Sequence, residues 1–296
     1  MAIANPFSQF KSRWLFLAFT FLLFLSSFVF GVISVIFNIE LDDPIFNYIF
    51  SIFVFGCLCL WTLFTFRFAK IKLNILLGQF PRNYNWFFLF FLTVFLILFS
   101  LGSALVSYSV VYWIAPEWME NFLQSLALQE EAKSDLPFLT NSLEILVLII
   151  VAPLTEEFIF RGVLFHRWAT KWGLIPGLLT TSFLFGIGHV NPLGLTMVGL
   201  ILGILYLKTN SLWVPMVAHT FNNGIVVVIR FISETYTTSE PQSLQDTFTN
   251  WQNGLVLMAV SAPLLLYYLY KNFPNPATPL PYLSNQIDNL NSLQEE

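Results

Sequence analysis

Glu156, Glu157 and Arg161 stand within "LTEEFIFRG", residues 154–162 of a chain in which charged residues are only 10% of the total. The surroundings are apolar over a length that suits a bilayer span. An ionised side chain at the centre of such a span costs about 2.5–3.5 kcal/mol on insertion scales, so it faces a partner or a cavity. Helical geometry divides the three charges. Glu157 precedes Arg161 by four residues, on one face and in the favourable acid-before-base order. Glu156 is turned roughly 100° away, which leaves its carboxylate free. Pro153, one turn earlier, removes a backbone hydrogen bond and kinks the helix. In lipid the freed group must find protein or water, so a small wet cavity is expected beside Glu156.

The chain has three histidines. His166 follows the charged turn, next to Arg167, and reads as a headgroup-level residue. His189 closes the apolar run "TTSFLFGIGHV", with Phe185 four residues earlier on the same face. His219 lies in "VPMVAHTFNNGIVVV", with Asn223 four residues later on the same face. Glu156 and His219 each lie roughly 12–14 Å inside their spans at 1.5 Å per residue, whereas His189 comes out near 20 Å unless its short span is tilted or starts below the surface. A free carboxylate beside an imidazole can hold a water and take its proton. A second imidazole and an amide NH₂ suit a developing oxyanion. That set describes amide hydrolysis at bilayer depth. HExxH and Gly-x-Ser-x-Gly are absent, and no Asp lies in an expected span, which removes a paired-aspartate site. Glu156, His189 and His219 are the alternative ligand set for zinc, without an evident carboxylate-rich second shell.

The elements that must position these residues are membrane helices. Of 296 residues 56% are hydrophobic, with 34 Phe and 9 Trp, more apolar surface than a soluble domain of this size could hide. Span-length apolar stretches occur at 14–37, 45–66, 86–115, 141–165, 174–190, 193–207, 211–233 and 253–271. The expected fold is therefore all-α, a polytopic membrane helix bundle of about eight transmembrane helices. The fifth and sixth stretches are short and read as tilted, buried or partly re-entrant. Gly199 and Gly203 give the sixth a GxxxG spacing that permits close helix contact. Lys11, Arg13, Arg67, Lys70, Lys72, Arg82, Arg167, Lys171, Lys208 and Lys271 all fall at one side of this topology, which the positive-inside rule makes cytoplasmic, with both termini there. Arg230 is the exception, with Glu234 four residues on as its expected partner. Cys57 and Cys59 point about 200° apart on a helix and read as packed thiols. A net charge of −4 gives no sign of nucleic-acid binding. The division expected is an N-terminal three-span region (1–140), a catalytic helical core (141–233), an outer loop and last span (234–271), and an extended or disordered tail (272–296).

"EEFIFR", "FGIGH" and "HTFNN" occur in that order. They resemble the CPBP intramembrane proteases, a family that includes type II CAAX-processing endopeptidases and bacteriocin-immunity proteins and carries EExxxR, FxxxH and HxxxN on successive membrane helices. The resemblance covers about 141–233 and matches every motif position. It implies that Glu156 and His189 activate water, that His219 and Asn223 form an oxyanion hole, and that Glu157, Arg161 and Phe185 shape the site. It implies a glutamate mechanism with no cofactor expected, zinc being the alternative because the family was long classed with the metalloproteases. The implied partners are a membrane protein or lipidated peptide substrate and the lipid bilayer, in a prokaryotic plasma membrane or an organellar membrane. The competing reading is a non-catalytic membrane adaptor or immunity protein of the same fold.

Overall fold

Long runs of Phe, Leu, Ile and Val, punctuated by Pro and Asn, dictate where helices begin and stop. A computed structural model describes residues 5–131, 136–236 and 251–295. Among these every regular element is helical. A single turn at Pro6–Ser8 precedes α1 (Ser12–Phe37), α2 (Pro44–Ala69), the short α3 (Leu73–Leu77), α4 (Trp86–Ile114) and α5 (Pro116–Glu131). Then come α6 (Pro137–Ile145), α7 (Ala152–Glu157), α8 (His166–Trp172), α9 (Leu174–Ile187), α10 (Pro192–Thr209), α11 (Trp213–Tyr236), α12 (Trp251–Asn272) and α13 (Pro281–Glu295). Local chemistry sets the boundaries. Asp43 caps α2 by accepting from Phe46 N at 3.0 Å, and Asn85 caps α4 by accepting from Phe88 N at 2.9 Å. Asn38 and Asn210 close α1 and α10 in the left-handed conformation, which Asn tolerates better than most residues.

Six helices are long and apolar enough to cross a bilayer among the described residues: α1, α2, α4, α10, α11 and α12. The expected fourth and fifth spans take another form. The fourth lies in an unbroken helical rod over 137–172, in which α6, α7 and α8 are joined by wider π-helical segments at Leu146–Val151 and Phe158–Phe165. The fifth, α9, has only 14 residues, about 21 Å of helix against a hydrocarbon core of about 30 Å.

Helix α10 is the centre of the bundle and α1 its periphery: 56% of the α10 window is buried but only 6% of that of α1. The most extensive packing joins α4 to α12 and α9 to α10. At the first crossing Gly102 and Gly254 face each other, and a Cβ on Gly102 would come within 2.6 Å of the Gly254 carbonyl. At the second, Gly199 and Gly203 lie against Ser182 and Leu178 of α9, so the GxxxG spacing serves a real helix contact.

Two expectations are corrected. The tail is not extended throughout, because Pro281 opens α13, a position that suits its missing N–H, and side chains dock it. Tyr282 accepts from Lys72 N through its hydroxyl at 3.0 Å. Asn285 donates to the carbonyls of Ile75 (2.9 Å) and Asn210 (2.8 Å). His166 does not face the headgroups; it is fully buried, stacked on Phe7, and its Nε2 accepts from Tyr282 N at 3.2 Å. Both partners come from chain ends far away in sequence. Arg230 meets Glu144 of α6, while the side chain of Glu234 lies outside the described residues.

Candidate active site

The rod over 137–172 presents its acids as the i,i+4 geometry requires. Arg161 Nη1 donates to Glu157 Oε1 at 2.8 Å, with Arg161 3% exposed and Glu157 not at all. Its Nη2 donates to the Gly199 carbonyl at 3.2 Å. The guanidinium also lies 4.4 Å above the Phe185 ring, a favourable place for a desolvated cation. Glu156 points elsewhere. Its Oε2 is buried without a hydrogen-bond partner, 3.7 Å from His189 Nε2 and 3.9 Å from His219 Nε2. The Glu156 side chain is 18% exposed and that of His189 33%, so the pair is reachable while the Glu157–Arg161 pair beneath is sealed.

Each imidazole is oriented through its other nitrogen. His189 Nδ1 lies 2.6 Å from the Phe185 carbonyl. Because a carbonyl only accepts, Nδ1 carries the proton and Nε2 faces Glu156. His219 Nδ1 lies 2.9 Å from Glu157 Oε1, so that one carboxylate oxygen receives both Arg161 and His219. Phe185 packs between them, its ring centre 4.6 Å from His189 and 5.7 Å from His219. The depth mismatch of His189 resolves because α9 stops short and His189 lies in the turn that reverses into α10. That turn is moored to α4: Asn191 caps α10 and donates to the Ser100 carbonyl at 2.7 Å, and Tyr108 donates to the Val190 carbonyl at 3.0 Å.

Pro153 lacks an N–H, and together with the widened turn before it this leaves the carbonyls of Leu148 and Ile149 open to donors from α11. Asn223 Nδ2 donates to Leu148 O at 2.8 Å and Thr220 Oγ1 to Ile149 O at 3.0 Å. Asn223 thus commits one N–H to the rod and keeps a second, and its Oδ1 accepts from Asn222 at 3.2 Å. Thr220, Asn191 and Gly199 are supporting residues that the motif reading missed. The Asn-Pro pair at 191–192 was a legible capping signal, whereas nothing local marked Thr220 or the Gly199 carbonyl.

Zinc would take the atoms that converge here, Glu156 Oε2 and the two Nε2 atoms, with both Nδ1 atoms already held by an acceptor as metal-bound histidines require. The 3.7 and 3.9 Å spacings are loose for such a set, and the described residues contain no group of three or more His, Cys, Asp or Glu arranged to hold a metal ion.

Residues 138–225, which contain the whole constellation, match the family model described as type II CAAX prenyl endopeptidase Rce1-like. Over this segment the chain is similar to that family. The CAAX-endopeptidase-like segment also has curated relatives. The chain is 36% identical over 91 residues to a Bacillus subtilis protein named as a membrane peptidase, YdiL, across 30% of this chain and 37% of that protein. It is 31% identical over 94 residues to the membrane-embedded CAAX protease MroQ of Staphylococcus aureus, across 28% of this chain and 38% of that one. The chain therefore spans less than two fifths of the length of these relatives. No solved structure matches it.

Proposed function

We propose that this protein is an intramembrane endopeptidase that hydrolyses a peptide bond in a membrane-associated or lipid-modified protein. The observation that carries the proposal is the convergence of Glu156 Oε2, buried and without a hydrogen-bond partner, with the Nε2 atoms of His189 and His219 at 3.7 and 3.9 Å. A water within about 2.8 Å of such groups fits between them. Glu156, assisted by His189, takes a proton from the water as its oxygen bonds to the substrate carbonyl carbon. The carbonyl oxygen becomes an oxyanion and accepts from His219 Nε2 and from the free N–H of Asn223. His219 must carry both ring protons to donate, and Glu157 is placed to accept from Nδ1. Collapse of the intermediate breaks the C–N bond, and the proton held by Glu156 passes to the leaving amine. No step needs a metal. The basic ends of the helices, and with them both termini, lie on the cytoplasmic side in this reading.

The test compares protein termini in membranes expressing the wild type with those expressing Glu156→Gln at equal abundance. New termini are expected only with the wild type. Identical termini in both would remove Glu156 as the base and leave the adaptor reading.

A further inference from the structure

At the end of the bundle away from α1's closing turn, four cations surround one cavity. It has a volume of about 260 Å³ and is lined by Lys11, Ser12, Arg13, Arg167 and Lys171. That is several times the share of liquid volume held by one water, about 30 Å³, and suffices for a phosphate group. No Asp or Glu lines it, and the ion pairs among the described residues involve none of these four cations. Three further features aim the charge inward. Arg167 Nη1 donates to the carbonyls of Phe7 (3.1 Å) and Ser8 (3.0 Å), which fixes its guanidinium. Ser12 Oγ accepts from Trp168 Nε1 at 3.2 Å and keeps its own proton to donate. Helix α1 begins here with no acidic residue in its first turn and no side-chain cap at Lys11. Its free N–H groups therefore add positive potential to a cluster of like charges.

We propose that this cavity binds the phosphate of an anionic phospholipid headgroup. Its position selects a lipid over a soluble phosphate. The cavity sits at the first turn of a lipid-facing span, and the side chains that follow, Trp14, Phe16 and Leu17, are exposed apolar surface. Trp14 and Trp172 flank it under Arg13 and Lys171 at 5.8 and 5.1 Å, as aromatics do at the membrane–water boundary. A headgroup in the cavity sends its acyl chains down this face. It also bridges α1 to α8, and α8 continues the rod that carries Glu156, Glu157 and Arg161.

The full-length protein in neutral detergent is titrated at low salt with short-chain phosphatidylglycerol, short-chain phosphatidylcholine and inorganic phosphate, and thermal unfolding and native mass spectrometry report binding. Phosphatidylglycerol should raise the unfolding midpoint and remain bound, and the other two should do neither. The double variant Lys11→Gln/Lys171→Gln removes two exposed side chains and should weaken phosphatidylglycerol binding about 30-fold, roughly five-fold for each charge. Lys171→Glu supplies an internal counter-ion; it should raise the midpoint of the lipid-free protein and abolish the phosphatidylglycerol effect. An equal response to phosphate would make this a soluble-anion site and overturn the lipid assignment. An equal response to phosphatidylcholine, or an undiminished response in the double variant, would overturn the site itself.

Discussion

Replacing Arg161 by Met keeps much of the side-chain volume and deletes the charge, which isolates what the guanidinium does for Glu157. In the wild type, Glu157 Oε1 receives Arg161 at 2.8 Å and His219 at 2.9 Å, and Glu157 Oε2 is buried without a partner. Removing Arg161 leaves a fully buried carboxylate to one imidazole. Breaking a buried ion pair from one side costs about 3–5 kcal/mol, between about two and four powers of ten in the folded-to-unfolded ratio. Glu157→Gln alone should be harmful for the mirror reason. The double variant Glu157→Gln/Arg161→Met should recover most of the loss, because an uncharged pair of similar volume is often close to neutral. Its residual deficit is the lost bond to the Gly199 carbonyl, which keeps its helical partner within α10, about 0.5–1.5 kcal/mol. The assay is reversible unfolding in mixed micelles, read as a double-mutant cycle. If Arg161→Met unfolds within about 0.5 kcal/mol of the wild type, or if the double variant loses the sum of the two singles, the pair is not the element that holds this site together.

Three further outcomes follow from other contacts. Thr220→Val and Asn223→Ala each strand a partly buried carbonyl of the rod, so each should lower stability by about 1 kcal/mol; only Asn223→Ala should also lower turnover, which separates the two in a peptide-release assay. Burial pushes His166 down from its ordinary 6.5 to about 4. The unfolded or undocked form therefore takes the proton first, so the contribution is complete above pH 6.5 and is lost as pH falls toward 4, up to about 3 kcal/mol. Hydrogen exchange at residues 280–285 should accelerate over that window and stay level in His166→Phe. In the proposed mechanism, chelation of the purified protein should leave hydrolysis unchanged, and activity lost to chelators and restored specifically by zinc would move Glu156, His189 and His219 to metal ligation.

What was legible in the sequence is what helical periodicity fixes. Glu157 and Arg161 had to meet because they are four apart, and Glu156 had to point away. The pairings of Phe185 with His189 and of His219 with Asn223 rest on the same spacing. The span count was less legible, because hydropathy alone does not distinguish a crossing helix from the 14-residue α9, and the approach of His189 to Glu156 depends on where that helix stops. His166 was misread because its burial comes from Phe7 and Tyr282, at opposite ends of the chain. The tail was misread for the complementary reason. Its Pro- and Asn-rich composition describes a chain in isolation, but Asn285 and Tyr282 find acceptors and a donor at the start of α3 and at the turn that closes α10.

The two carbonyls that Pro153 leaves open carry a consequence for how the protein is made. Their donors, Thr220 and Asn223, lie 71 and 75 residues further along the chain. During synthesis the Pro153 segment therefore reaches the membrane well before α11 exists, with polar backbone that lipid cannot satisfy. It must wait at a wet boundary or beside a temporary partner, and it becomes a settled membrane helix only when α11 arrives. The residues that finish the site are thus the residues that finish its insertion. A chain cut short before residue 220 would hold a half-inserted rod, which gives the cell a structural basis for telling an incomplete copy from a completed one.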